Sequence, residues 1–161
     1  MTLKYAVRPE LRLDLCSGRR GWERRGHWIA VDNDSRMRPD LLADVRGLRG
    51  SWLRWASLVV ASPPCGGFTD LPWRPATGEG VDVLLACLAL CEESGAPWCL
   101  ENTRFAQEYI GKARCHWGGF YLWGPLAKVP DTPPPSKMAI SGNRPDLRAM
   151  IPEALALAVC P

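Results

Sequence analysis

The chain has 161 residues, of which 47% are hydrophobic, so its size fits one ordinary domain and excludes a second independent core. It has 20 basic and 17 acidic residues, and the net charge of +3 is too small to indicate a nucleic-acid partner by itself. No stretch resembles a signal peptide or is long and apolar enough to cross a bilayer, so we expect a soluble cytoplasmic protein.

Apolar runs predict the first three strands. They are LRLDLCSG at 11–18, HWIAVDND at 27–34 and SLVVASPP at 57–64. None alternates cleanly between apolar and polar residues, as is typical of parallel strands that are buried on both faces. Pro63 and Pro64 end the third run, and their fixed φ stiffens the chain just before Cys65.

Helical spacing is clearest in GEGVDVLLACLALCEESG at 78–95, which a C-terminal glycine ends. We also predict short helices at 22–26 and just before residue 57. PWCLEN at 97–102 resembles a fourth strand, and IPEALALAV at 151–159 predicts a closing helix with proline in its first turn.

Two segments in the second half of the chain carry other patterns. HWGGFYLWG at 116–124 is predicted to be core and hinge and not a base-stacking platform. Residues from about 124 to 146 are rich in proline and predict an extended surface connection without compact structure of its own.

Strands that alternate with helices predict an α/β fold: a Rossmann-like, doubly wound and mostly parallel sheet with helices on both faces. Ligands of such sheets bind beyond the carboxyl ends of the strands, where glycines let backbone amides approach and an acid can accept ribose hydroxyls. A nucleoside-containing cofactor is therefore expected, although the GxGxxG pattern of nicotinamide and flavin proteins is absent. The polar residues near these strand ends are Asp14, Asp32, Asp44, Cys65, Glu101 and Asn102.

The seven cysteines are odd in number and lie in apolar segments, which is typical of reduced core residues and not of a disulfide framework. A zinc site could be built from Cys87, Cys91, Cys99 and the Cys115-His116 pair. Paired CxxC motifs are missing, so the pattern favours core packing over zinc.

Two segments, 18–28 and 46–55, combine arginines with tryptophans. This mixture occurs in nucleic-acid-binding surfaces. Charge alone favours the simpler interpretation, a solvated helix face with tryptophans anchored in the core.

Six motifs together resemble the S-adenosylmethionine-dependent DNA cytosine-5 methyltransferases, and the whole chain is similar to a minimal, bacteriophage-type member. In chain order they are LDLCSGRRGW, AVDNDS, LLADVRGL, ASPPCGGFT, CLENTR and RAMIPEALALAV. The PPC and EN motifs are the specific ones. The resemblance implies a fold of the class I methyltransferase type.

The resemblance also implies roles for individual residues. Those implied on the cofactor side are Asp14, Cys16, Gly18 and Gly21 at the methionine end, Asp32 at the ribose, Asp44 at the adenine amine, and Pro63. Those implied at the acceptor base are the nucleophile Cys65, the acid Glu101, Arg114 at the cytosine carbonyl, and Pro64, Asn102 and Arg104 around the base. A thiolate is needed because carbon 5 of cytosine is a poor nucleophile until a group adds at carbon 6.

Two departures from the family pattern keep alternatives open. Only a short segment stands where the family inserts a target-recognition region. The acceptor could therefore be duplex DNA recognised with loose specificity, single-stranded DNA or a nucleotide. A homodimer or a partner subunit could supply the missing recognition. The family's Gly-Asn before its last motif is also replaced here. A catalytically weak relative that binds DNA or a partner, for example against restriction, and a methyltransferase of exocyclic amines are the competing hypotheses.

Overall fold

A computed structural model describes residues 10–23, 25–70, 75–135 and 150–160. The strands in these ranges are β1 Leu11–Leu15, β2 His27–Asp32, β3 Leu41–Leu42, β4 Leu58–Ala61, β5 Trp98–Asn102, β6 Cys115–Trp117 and β7 Phe120–Trp123. The α-helices are α1 Val81–Glu93, α2 Gln107–Ile110 and α3 Glu153–Val159. Short 3-10 helices occupy Ser35–Met37, Val45–Gly47, Gly50–Trp55 and Arg104–Ala106.

The strands form one mixed sheet in the order β3-β2-β1-β4-β5-β7-β6. Strands β1 to β5 all pair in parallel, whereas β7 runs antiparallel to both of its neighbours. Leu15 at the end of β1 pairs with Val31 on one side and Ala61 on the other. The carboxyl ends of the parallel strands therefore lie along one edge, and the predicted α/β fold with a mostly parallel sheet is confirmed.

Alternate residues of the strands fill two cores, one on each face of the sheet. On the first face α1 contributes Leu84 to a cluster with Leu15 and Val59, and on the second α3 contributes Leu155 to a cluster with Val60 and Leu122. This two-sided burial explains why the strands are apolar runs in the sequence. Within the described ranges, none of the helices combines the length and apolar character that spanning a bilayer requires.

The predicted elements differ from the observed ones mainly at their ends. The long helix, the four strands and the closing helix are present, and the short helix predicted before residue 57 is the 3-10 helix Gly50–Trp55. The helix predicted at 22–26 is wrong for its described residues, which form turns and bends. Trp22 explains this difference, because it is buried in the second core and holds the chain there as a turn.

The segment predicted to be core and hinge forms a hairpin of β6 and β7. Trp117, Phe120 and Trp123 are buried, so the core part of the prediction is confirmed. The Pro-rich segment has no regular structure from 124 to 135, and the Trp117 ring nitrogen donates to Thr132 O at 2.7 Å. The rest of that prediction lies outside the described residues.

Candidate functional site

A cleft of about 350 Å³ opens at the carboxyl ends of β1 to β4, the edge at which doubly wound sheets bind ligands. Most of the residues implied on the cofactor side line it: Cys16, Gly18, Gly21, Asp32 and Asp44. Pro64, which was implied at the acceptor base, lines it as well. Asp14 and Pro63 are buried and do not line it.

The loop after β1 is organised by Asp32. Its Oδ2 accepts from the Gly18 amide at 2.8 Å, and its Oδ1 accepts from the Asp34 amide at 2.9 Å. Gly18 has a φ of 48°, a conformation that glycine adopts without strain. A Cβ on Gly21 would lie 2.8 Å from the Ile151 nitrogen, so only glycine lets the chain before α3 close against the loop. Each carboxylate oxygen of Asp32 keeps another lone pair for a ligand.

Asp44 is held as a charged group at the far side of the cleft. Its carboxylate caps the 3-10 helix Val45–Gly47 by accepting from the Arg46 amide at 2.9 Å, and it binds the Arg46 guanidinium with both oxygens. Arg46 also binds Asp82 at the start of α1. The hydrogen bonds from Arg46 lower the pKa of Asp44 to about 2. Asp44 is therefore an acceptor, not a donor, at neutral pH.

Several buried oxygens beside the loop lack hydrogen-bond partners among the described residues. They are both carboxyl oxygens of Asp14, the Ser17 hydroxyl and Oε1 of Glu23. Burial raises the pKa of Asp14 well above its usual range, and Glu23 and Asp32 raise it further. Such oxygens are expensive to leave unpaired. Of Asp14, Ser17 and Glu23 only Ser17 lines the cleft, so its hydroxyl suits a ligand that brings a hydrogen-bond donor.

The chain around Cys65 is tied to the end of β5. The buried Asn102 amide donates to Pro63 O at 2.8 Å and accepts from the Thr103 amide at 2.8 Å. Cys65 is half-buried, and its carbonyl accepts from Thr69 N at 3.1 Å and from the Thr69 hydroxyl at 2.7 Å. The thiol therefore sits on a closed turn next to Pro64, a residue that lines the cleft.

We call residues 65–69 the thiol loop. A second set of hydrogen bonds joins this loop to the segment before α1. Gly67 O accepts from Thr77 N at 2.6 Å, from Gly78 N at 2.9 Å and from the Thr77 hydroxyl at 3.1 Å. Phe68 is buried and its ring meets that of Tyr109 edge-on, at 5.6 Å between centroids. Backbone hydrogen bonds and an aromatic anchor thus fix the loop at both of its sides.

The other residues implied at the acceptor base lie at different places. Glu101 is 8% exposed on β5, one residue beyond Leu100, which pairs with Ala61 at the end of β4. Cys65 comes shortly after β4, and Glu101 lies near the carboxyl end of the neighbouring strand β5. Arg104 and Arg114 are exposed, and Arg114 precedes β6, two strands away from β5 in the sheet. The Arg114 amide donates to Leu122 O at 2.9 Å, and Leu122 of β7 pairs with Glu101.

Sequence reasoning missed part of the cleft lining. Trp22 lines it, and its ring nitrogen donates to the Ser62 hydroxyl at 2.9 Å. The other lining residues without a predicted role in the site are Ser17, Arg19, Asn33, Met37, Ala43, Val45, Ser62, Val83, Met150 and Ile151. The position of Asn33 at the end of a predicted strand was visible in the sequence, whereas Ala43 follows β3, a strand that the sequence did not predict. The Trp22–Ser62 contact joins residues far apart in the chain, so no local pattern indicates it.

Cysteines in this region are free thiols. Cys16 Sγ lies 3.7 Å from Cys87 Sγ of α1, and this contact together with burial raises the pKa of Cys16 well above its usual range. No set of three or more His, Cys, Asp or Glu side chains in the described ranges is arranged to hold a metal ion.

No protein-family model matches this chain, and no curated protein matches it either. The cleft, the thiol loop and the end of β5 are therefore the features that bear on its function.

Proposed function

We propose that the protein transfers a methyl group from S-adenosylmethionine to carbon 5 of cytosine in DNA, with Cys65 as the nucleophile. The observation that carries the proposal is the hydrogen bond from the Asn102 amide to Pro63 O. It joins the two specific motifs, PPC and EN, beside a cleft that Pro64 lines. A thiol next to a ligand cleft, with a buried carboxyl group on the neighbouring strand, suits covalent addition assisted by an acid.

The shape and polarity of the cleft support the choice of cofactor. Gly18 and Gly21 allow a ligand to approach the backbone after β1, and Asp32 has lone pairs left for ribose hydroxyls. The unpaired Ser17 hydroxyl, which lines the cleft, suits an ammonium or other donor on the ligand. When bound, S-adenosylmethionine would supply an electrophilic methyl group on a positively charged sulfur.

The sheet supports the same proposal. The order 3-2-1-4-5 is that of doubly wound nucleotide-binding folds. An antiparallel strand inserted between β5 and the edge strand resembles the sheet of class I methyltransferases. In that arrangement a cofactor cleft over β1 to β3 and an acceptor site over β4 and β5 lie side by side.

The chain's own residues would divide the chemistry as follows. The Cys65 sulfur forms a bond to carbon 6 of the cytosine, and Glu101 provides a hydrogen bond or a proton at the ring nitrogen that gains charge. Carbon 5 would then be nucleophilic and would take the methyl group as its bond to the sulfonium sulfur breaks, so that S-adenosylhomocysteine leaves. Loss of the proton from carbon 5 expels the cysteine, so the thiol is regenerated and the ring becomes aromatic again.

The test is nucleoside mass spectrometry of DNA from a methylation-deficient host that expresses the protein. We expect 5-methylcytosine with the natural sequence, a loss of more than about 10³-fold with Cys65→Ser, and no loss with Cys115→Ser. Cys115 is a matched control because it is also a half-buried free thiol but lies on β6.

Two outcomes would contradict the proposal. If Cys65→Ser retained full methylation, the covalent mechanism would be wrong. If no methylated base formed while calorimetry showed that the cofactor bound, the protein would be a binding relative without this activity, and a methylated exocyclic amine would instead identify the other class of methyltransferase.

A further inference from the structure

The 3-10 helix Gly50–Trp55 sorts its residues into three rows, because residues three apart lie directly above one another in a helix of three residues per turn. One row faces the core and consists of Gly50, Leu53 and Ala56. The second row, which we call the Trp row, consists of Trp52 and Trp55, and the exposed Arg49 precedes the helix in an extended conformation. The third row consists of Ser51, Arg54 and Ser57, and the second and third rows are both exposed.

The Trp row places two large aromatic side chains at the surface. Trp52 is 44% exposed and Trp55 is 67% exposed, whereas Trp22 in the other arginine-rich segment is 1% exposed. The interpretation of the tryptophans as core anchors is thus confirmed for Trp22 and wrong for the Trp row. Adjacent exposed indoles leave apolar surface in water, which in soluble proteins commonly marks a binding site.

Positive charge accompanies these indoles. Arg49 and Arg54 are exposed, and the sequence has no acidic residue from position 45 to position 69. Glu93 packs on this helix against Gly50, on the core-facing row. Glu10, which precedes the Leu11 carbonyl bonded by Ser57, is paired with Arg12. Arg46 is engaged by Asp44 and Asp82 and therefore adds little to this surface.

The Trp row lies away from the cleft. The helix ends at Trp55, and two residues separate it from the start of β4 at Leu58. The amide of Ser57 donates to Leu11 O, 2.7 Å away, at the start of β1. These are the amino ends of parallel strands, while the cleft lies at the carboxyl ends. The surface is thus separate from the site of the proposed methyl transfer.

We propose that the Trp row, with Arg54 beside it, binds single-stranded nucleic acid. Indole rings stack on bases of any sequence, and arginines next to them neutralise the phosphates. A duplex keeps its base faces stacked inside, so it offers nothing to exposed indoles. Successive side chains of one row are about 6 Å apart along the axis, wider than the rise of about 3.4 Å in a duplex strand, which favours a flexible single strand.

This proposal does not depend on the methyltransferase activity, and its test measures binding alone. The probe is a fluorescein-labelled oligo(dT) of about 15 nucleotides, a length that covers a typical single-strand site, and the readout is fluorescence anisotropy with the full chain. We expect Trp52→Ala with Trp55→Ala to weaken binding by at least about tenfold. Trp52→Phe with Trp55→Phe keeps a stacking ring and should retain most of the affinity.

Two controls separate stacking from folding and from charge. Leu42→Ala removes another exposed apolar side chain, on β3, and should bind as the natural protein does. Arg49→Ala with Arg54→Ala should flatten the slope of log affinity against log salt by about 1.4, the value for two lost contacts with a single strand.

The proposal is overturned if the natural protein does not bind the oligonucleotide, or if the double Trp→Ala variant binds equally well with an unchanged circular dichroism spectrum. It is also overturned if a duplex of the same length binds as tightly and with the same dependence on the tryptophans. If the Trp→Ala variant fails to fold, the double arginine variant decides, because an unchanged salt slope would exclude phosphate contacts at this surface.

Discussion

The two halves of the carboxyl edge satisfy their polar groups in different ways. On the side of β4 and β5, the carbonyls of Pro63, Cys65 and Gly67 all accept hydrogen bonds from the chain itself. On the side of β1 and β2, oxygens of Asp14, Ser17 and Glu23 are buried without partners in the described part of the chain. The first half is complete in the carbonyls of the thiol loop, although the Thr103 hydroxyl after β5 is buried without a partner in the described ranges. The other half leaves oxygens of three side chains unpaired and, where Ser17 lines the cleft, suits an additional molecule.

This difference matches the different needs of a nucleophile and a ligand site. A thiol that attacks one face of a ring gains from a rigid loop, because a small misplacement lowers the rate steeply. Each buried oxygen without a partner costs about 1–3 kcal/mol, and a ligand that supplies donors recovers part of that free energy when it binds. Variants of the complete half should therefore affect turnover, and variants of the other half should affect stability and ligand binding.

The largest effect is expected from Gly67→Ala in the thiol loop. A Cβ there would overlap the carbonyl oxygen of Glu79, which belongs to the backbone and has little freedom to move. The thiol loop must shift, and we expect turnover to fall by about 10²-fold or more while cofactor affinity changes little. Steady-state rates and calorimetry with S-adenosylmethionine measure the two quantities.

Gly47→Ala is the matched control for this change, since nothing lies within 4 Å of a Cβ at that position. It should leave turnover unchanged. A Gly67→Ala variant with normal turnover would show that the thiol loop needs no fixed position.

A smaller effect on turnover is expected from Asn102→Ala. The change leaves Pro63 O buried without its donor and should lower the free energy of unfolding by about 1–3 kcal/mol, as measured by urea denaturation. We expect turnover to fall about tenfold as well, because the thiol loop loses its link to β5.

Gln107→Ala separates the two consequences of losing Asn102. Gln107 also uses both ends of its amide on the backbone, donating to Arg104 O at 3.2 Å and accepting from the Ala113 amide at 3.1 Å, but it lies on α2. It should reduce stability without reducing turnover. Equal losses of turnover in both variants would mean that the effect of Asn102 is one of stability alone.

The same contrast explains which features the sequence could predict. Strands β1, β2, β4 and β5 were predictable because parallel strands buried on both faces are apolar runs. Strand β3 has only two residues and no pattern of its own, and the β6–β7 hairpin was recognised as core but not as strands. The β-pairing partners of these short strands are set by tertiary packing, which a local pattern does not contain.

In the site, a residue at the carboxyl end of a predicted strand was the predictable one. Asp32 ends β2 and lines the cleft as expected, because the carboxyl end of a parallel strand already fixes its edge of the sheet. Asp44 also lines the cleft, but it follows β3, a strand that the sequence did not predict, and its role came from the resemblance. Asp14 was likewise expected near a strand end, but it is buried inside β1 and does not line the cleft. Its missing partners, like the contact of Ile151 with Gly21, depend on segments distant in the chain.

The smallest effect, and the sharpest test of the half that suits a ligand, is the pH dependence of stability at Asp14. Burial raises the pKa of Asp14 well above its usual range, so the folded protein keeps a proton that the unfolded chain loses above about pH 4. Stability should therefore fall as the pH rises from about 4 towards the raised pKa, by at most about 1.4 kcal/mol per pH unit. Asp14→Asn has no such proton, so this component of the slope should vanish.

Urea denaturation of both proteins at a series of pH values measures the difference, which should grow in favour of Asp14→Asn as the pH rises. Burial also raises the pKa of Glu23, which gives a slope of the same sign, but Glu23 is present in both proteins and its contribution largely cancels in the comparison. A difference that stays constant with pH would mean that Asp14 ionises normally in the folded protein. The oxygens beside β1 would then have found donors within the chain, and the contrast between the two halves of the edge would disappear.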